Sequence, residues 1–526
     1  MKSYKEHLQS VKFINEELSK KRKPVYRGSA VFAVISNQHL KTRILFMGYW
    51  MVKNGIDELG LVVTLRAQSG EILFREKSQI DNPNAREIHV DPLLEQLGIA
   101  DYDFHGSVEL EIFSCRDLVF PFPAFVINYY NSKSSTAVHT TGRIYNDYED
   151  MISNEQMKVK ECGFDIFPGE DNDPFFSFVN GYMVNENALF DVDIITESGY
   201  EYKEKLNLGK INPFETCIVK FKDYIELDRM LGEEVGTVKI KHNLEGFFPR
   251  FMAGNFSKKA KAVSITHTYY DNSDNNADSA YWENANYDLL YDSAIYVPLF
   301  IDDDWYTHVK LYPIYSPSKH YITVRFHNMK GEQIGEIKNY KVIEENHNDF
   351  ISIDFKELAD NLKLDKSEIQ GAYLFKNWDD KNRIPTRLKY GLNIGRYDKE
   401  FDLPTNICFA SEVSNLNVLK KRGTFKWMPL LNHGHSLAII ENSSFVKNYN
   451  TPANLEISFY SKKGRSLNRK IKLQAHSQIR ITLDEELKDL FEDYSGWITV
   501  RSDNPFVKAW YFEFNESGIM GGDHSF

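Results

Sequence analysis

Cysteine is scarce in this sequence. Cys115, Cys162, Cys217 and Cys408 are the only four in 526 residues, and none sits in a CxxC spacing. That excludes a disulfide framework and suits a reducing compartment, so a cytoplasmic location is expected. Long apolar runs are missing as well: none approaches the roughly 20 residues that cross a bilayer, so no membrane span is expected. The first 28 residues are charged, with a basic run from Lys20 to Lys23 and no apolar core behind it, unlike a secretory signal. Positive charge is not in excess either. Lys and Arg number 63 against 75 Asp and Glu, a net charge of −12, whereas binding a phosphate backbone needs a cationic face. Nucleic acid is therefore not an expected partner, and the local basic patch Lys420 to Arg422 with Lys426 reads as a solvated connector. Finally, GxxxxGK[ST], GxGxxG after a strand, HExxH and GxSxG are all absent. No cofactor and no catalytic residue is expected on these grounds.

What the chain does have is repetition. From Glu456 it reads EISFYSKKGRSLNRKIKLQAHSQIRITLDEELKDLFEDYSGWITVRSDNPFVKAWYFEF, and the stretch from Asp191 has the same order of elements. An alternating strand leads to a Gly turn (Gly464, Gly199) and a second strand carrying Lys. A third strand follows, then a short acidic helix, a further Gly (Gly496, Gly236) and two more strands. More diverged copies run from Gly60 to Tyr130 and from Tyr321 to Tyr390. Each full unit spans about 100 to 120 residues, which is the size of a domain and too long for a solenoid repeat.

Within a unit the period is two. Leu455, Ile457 and Phe459 share one face, and Glu456, Ser458 and Tyr460 the other, as expected for half-buried antiparallel strands. About seven short strands per unit, with turn signals every eight to twelve residues, predict a mainly β protein of four tandem antiparallel β-sandwiches. Each has one short helix; in the last unit Asp484 caps it and Leu487 and Leu490 face inward. The expected division is an N-terminal helix over 1–27 and sandwiches over 28–147, 174–271, 293–412 and 426–526. A helical-looking connector covers 148–173, and linkers cover 272–292 and 413–425.

Several segments of the last unit carry a family pattern. HGHSLAIIENSSFVKNYNTPANLEISFYSKKG, LQAHSQIRITLDE and SGWITVRSDNPFVKAWYF follow in order, and SITHTYYDNS in the second unit supplies His267, Thr268 and Asp271. Together they resemble the sensory rhodopsin transducer superfamily. The resemblance covers most of the last unit, less of the second and only the strand order of the others. It implies compact β-sandwiches that bind small molecules, sugars above all. Two departures fall on ligand positions: His435-Ser436 stands for a His-Glu pair, and Trp510-Tyr511 for Gln-His.

Candidate site residues fall in three groups. His433 and His435 point to one face of a strand, the spacing of a two-histidine metal edge, and the tail GGDHSF offers Asp523 and His524 as further ligands. Exposed strand-edge histidines would look the same. Three of the four units also end in His-Thr or His-Ser, at His139, His267 and His524, while the third has no counterpart. These are either hydrogen-bonded turns or imidazoles facing a polar ligand or a neighbouring unit. Trp427, Trp497 and Trp510 fall in one unit and would stack on a sugar if exposed, or fill the core. The Gly-Gly hinge of the tail would bring His524 to Trp510 and His435, and Phe526 would dock.

Three functions remain open. The chain is a non-catalytic multidomain protein binding a small polar ligand such as a sugar or glycan precursor, a structural protein forming a homo-oligomer, or a metal-dependent enzyme with a histidine site in its last domain.

Overall fold

The computed structural model describes residues 3–21, 24–99, 103–120, 122–145, 160–271, 293–314, 316, 318–345, 348–380, 388–399, 402–410, 421–433, 435–444, 446 and 448–526. Residues 148–159 of the expected connector, the linker 272–292 and much of the linker 413–425 lie outside the described residues. The protein is mainly β, with 55% strand and 11% helix. No described helix is long and apolar enough to cross a membrane.

The first repeat has eight strands: β1 (Tyr26–Ser36), β2 (Lys41–Met47), β3 (Leu59–Ala67), β4 (Ile72–Ile80), β5 (Ala85–His89), β6 (Phe104–Ser114), β7 (Val126–Tyr130) and β8 (Ser135–His139). They form two antiparallel sheets in the orders β1-β6-β3-β4 and β5-β2-β7-β8. The same two orders recur in the third and last repeats. In the second repeat the first position is split between Lys160–Cys162 and Asp165–Ile166, upstream of the boundary expected at residue 174, and Tyr269–Asp271 widens that sheet to six strands. The expected alternation is seen directly: along Ala453–Tyr460, Leu455, Ile457 and Phe459 are buried, while Glu456 is exposed.

Every repeat has a short helix between its fifth and sixth strands, at Val90–Gln96, Leu227–Leu231, Phe355–Asn361 and Glu485–Phe491. Two are capped as their sequence suggests. Asp484 accepts from the Leu487 amide, and Asp354 from the amides of Lys356 and Glu357, satisfying donors that a helix start leaves open. Leu487, Leu490 and Phe491 then pack inward. The first repeat adds a helix over Tyr49–Asn54 that the sequence pattern did not suggest, six residues being too few to display a period.

The repeats are not beads on a string. One apolar core runs through the first and last repeats, and another joins the third repeat to Leu437, Ile439, Trp510 and Phe512 of the last. The four eighth strands, β8, Ala262–His267, Ile407–Ala410 and Met520–His524, meet along a common line. Thr136 donates to the Val263 carbonyl at 2.8 Å, and Ser264 to the Pro404 carbonyl at 3.0 Å. Asn515 accepts from the Ser135 amide at 3.1 Å. Gly521 is required by this crowding: a Cβ there would lie 2.9 Å from Thr136 Cα. The tail is thus an ordered strand paired with Val507–Phe514, and not a hinge.

Candidate metal centre

Three of the four eighth strands end in histidine, and their convergence brings those side chains together. The ring centroids of His139 and His267 are 4.8 Å apart, those of His139 and His524 4.7 Å, and those of His267 and His524 6.3 Å. Each Nδ1 already has an acceptor. His139 Nδ1 lies 2.6 Å from Asp523 Oδ2, His267 Nδ1 2.7 Å from the Thr268 carbonyl, and His524 Nδ1 3.1 Å from the Ser525 carbonyl. A carbonyl or carboxylate can only accept, so the protonated nitrogen is Nδ1 and the lone pair is on Nε2. His267 Nε2 is buried without a hydrogen-bond partner.

His139, His267, His524 and Asp523 each offer a ligand atom, and these atoms lie within 4.8 Å of one another. In a tetrahedral zinc site with bonds of about 2.1 Å, ligand atoms are about 3.4 Å apart, so small side-chain rotations would close the set. Asp523 suits the outer shell: one oxygen takes His139 Nδ1–H and the His139 amide at 3.0 Å, the other the His524 amide at 2.7 Å. A carboxylate behind a ligating imidazole fixes its ring and tautomer.

Burial sets the charge state. It pushes His139 and His267 down to about 3, with the Arg250 guanidinium adding to it, and lowers His524 also. Burial also raises the Asp523 carboxyl. The 2.6 Å contact of His139 with Asp523 would raise an imidazole that had room to charge, but here desolvation prevails. The contact is a hydrogen bond from a neutral ring.

The cluster borders a cavity of about 530 Å³. Aromatic side chains make much of its wall: Phe122, Phe248, Tyr269, Tyr270, Phe409 and Trp510. Arg250, Lys426 and Lys508 also line it, with the Arg250 guanidinium 4.9 Å and 4.8 Å from the ring centres of Tyr269 and Tyr270. The third repeat contributes Ile295 and Phe409 where the others bring histidine. Its eighth strand ends in Ala410, paired with Lys389, as His267 ends the strand paired with Met252.

The sequence-derived candidates separate. His139, His267, Asp523 and His524 come together, and Trp510 pairs directly with His524. His433 and His435 do not join them. His435 is exposed and pairs with Phe514, four residues along the strand from Trp510, or about 13 Å at strand rise. His433 lies instead beside Tyr130, with ring centres 6.5 Å apart, in a different cavity. The expected meeting of His435 with Trp510 and His524 is therefore corrected: the two rows sit at opposite ends of one strand pair. Trp427, Trp497 and Trp510 are core residues, only 6%, 0% and 3% exposed. Phe526 docks as expected, stacking on Trp427 at 5.6 Å, and its amide donates to the Trp427 carbonyl. Arg250, Lys508 and the aromatic wall apart from Trp510 were missed, because they come from several repeats and no local spacing marks them.

The chain matches no protein-family model, and no curated protein matches it.

Proposed function

We propose that this chain binds a divalent transition metal, zinc being well suited to three imidazoles, and with it a small polar molecule held in the adjoining cavity. The observation that carries the reading is the meeting of His139, His267 and His524 from three repeats, each with Nδ1 on an acceptor. Metals take neutral imidazole, and burial keeps these rings neutral at physiological pH. Three protein ligands with one position open is the arrangement of sites that exchange ligands, whereas structural zinc sites are closed by four. Ile295 and Phe409 of the third repeat line the adjoining cavity without offering a ligand atom.

Water on such a metal becomes a nucleophile, but turnover needs a base to pass protons. Among the described residues no carboxylate lines the cavity, and its histidines are all in the ligand set. This supports a binding role ahead of a catalytic one. We also read the four pairs of sheets as tandem β-sandwich domains closed around the shared line of eighth strands, in keeping with the transducer-like pattern. A sugar-bearing ligand fits the aromatic wall, since such faces stack on sugar C–H surfaces.

Metal analysis of the full chain tests the reading. After zinc loading and dialysis, the wild type should retain one equivalent and the His139→Ala, His267→Ala, His524→Ala triple variant none. Retention below about half an equivalent by the wild type, or equal retention by the folded variant, overturns it.

A further inference from the structure

In the third repeat, Ile322, Val324 and Phe326 of the strand His320–Asn328 point into the sandwich core, so Thr323, Arg325 and His327 point out of it. The neighbouring strand Ile369–Asn377 pairs Tyr373 with Arg325 and Phe375 with Thr323, and turns Asn377 to the same side. In the first repeat the equivalent face is closed by its own ion pairs, Arg66 with Glu109 at 2.9 Å and Arg27 with Glu111 at 2.8 Å. In the third it is the floor of a cavity of about 700 Å³, walled by Ser444, Val446, Tyr449 and His476 of the last repeat.

Much of the lining is already bonded. The Tyr373 hydroxyl accepts from the Ser444 amide at 2.9 Å and donates to His476 Nδ1 at 2.7 Å, and His476 Nε2 donates to the Tyr449 carbonyl at 2.8 Å. Arg325 lies over Phe375, 4.5 Å from the ring centre, and gives Nε and Nη2 to one oxygen of Glu336 at 3.0 and 2.7 Å. The exposed Lys338 lies 3.8 Å from the other oxygen. Two polar atoms of the floor are left over. His327 is 4% exposed; its Nδ1 donates to the Gly331 carbonyl at 3.1 Å, and the Nε2 lone pair has no partner. Burial holds that imidazole down to about 4, so Nε2 remains an acceptor at neutral pH. Thr323, also 4% exposed, accepts from Asn377 Nδ2 at 3.2 Å and from the Asn339 amide at 3.1 Å, which leaves its hydroxyl hydrogen to give.

We infer that this cavity is a second ligand site, independent of the metal, and takes a neutral polyol of disaccharide length, one hydroxyl donating to His327 Nε2 and another accepting from Thr323. An unmet buried acceptor is costly, and a hydroxyl from a guest relieves it. Only a molecule that both donates and accepts serves both atoms. A carboxylate has no hydrogen for His327, and an ammonium has no lone pair for Thr323. Because Arg325 is matched by Glu336, a neutral guest leaves no inner charge uncompensated. The length follows from the strand: Thr323 and His327 are four residues apart, about 13 Å at strand rise, which exceeds a single sugar ring.

The test titrates the full chain by calorimetry with maltose, cellobiose, lactose and trehalose, and with lactobionate as the anionic control. At least one of the four sugars should bind with a Kd below about 10 mM and about tenfold more tightly than lactobionate. His327→Phe keeps the shape but has no acceptor, and should weaken that sugar about tenfold; Thr323→Val should weaken it about threefold. Thr323→Val carries the test if His327→Phe does not fold. The His139→Ala, His267→Ala, His524→Ala triple variant should bind the sugar within about twofold of the wild type. No binding by any of the four up to about 50 mM, a preference for lactobionate, or unchanged affinity in a folded His327→Phe chain overturns the inference. Loss of sugar binding in the triple variant would move the guest to the cavity beside the three histidines, which overturns this inference and leaves the metal reading standing.

Discussion

The third repeat and the other three share a strand order but differ at one position. In the first, second and last repeats the eighth strand ends in His139, His267 or His524; in the third it ends in Ala410. The same scaffold thus delivers three imidazoles to one point and leaves one quadrant to Ile295 and Phe409. A fully symmetric set of four would fill the coordination shell and leave no room for a guest. On the proposed metal reading, convergence would supply the ligands, and the absence of a histidine at Ala410 would leave one position open.

Burial alone does not make a metal ligand, and the third repeat supplies the control. His327 is 4% exposed, its Nε2 has no hydrogen-bond partner, and its Nδ1 lies 3.1 Å from the Gly331 carbonyl. Desolvation holds it down to about 4. A base lowered in the folded state contributes stability that is complete above its unfolded value near 6.5 and is lost as pH falls through about 4. Over that window the loss attributable to His327 is on the order of 3 kcal/mol. Denaturant unfolding of His327→Phe at pH 7 and near pH 4.5 should show a smaller acid loss than the wild type, with zinc retention unchanged. Loss of zinc in that variant would erase the distinction between the third repeat and the others.

Asp523→Asn probes the outer shell of the three-histidine side. An amide still accepts at one oxygen but no longer fixes His139 with a charge, so zinc affinity should fall about 10- to 100-fold, read by chelator competition. An unchanged affinity would mean that Asp523 only ties strands together. The smallest effect is expected at His435. His435→Ala should leave zinc binding within about twofold, because the residue sits about 13 Å along the strand from the cluster.

Much of the architecture was legible. The alternation at Leu455, Ile457 and Phe459, the cap at Asp484 and the glycine turns at Gly199 and Gly464 are local signals, and the described strands and helices follow them. The recurrence of His-Thr and His-Ser at the unit ends marked His139, His267 and His524, with a neighbouring unit as one possible contact. By contrast, the HxH spacing at His433 and His435 gave no sign that both lie apart from the His139, His267 and His524 cluster. Alternation places two side chains on one face but says nothing of what that face meets. The short helix at Tyr49–Asn54 also went unseen; Tyr49 stacks on Trp427 of the last repeat at 4.7 Å, a tertiary contact with no local trace.

By itself, then, the sequence determined the strand period, the repeat, the caps and the identity of the residues that close each unit, because these depend on interactions between near neighbours. Tertiary structure alone decided that the four eighth strands meet. It also decided that Gly521 lies against Thr136, and that Arg250 from the second repeat and Lys508 from the last line one cavity. Those placements depend on how buried surfaces of distant segments fit one another. That fit depends on shape and solvation across the whole chain, and no spacing along the sequence encodes it.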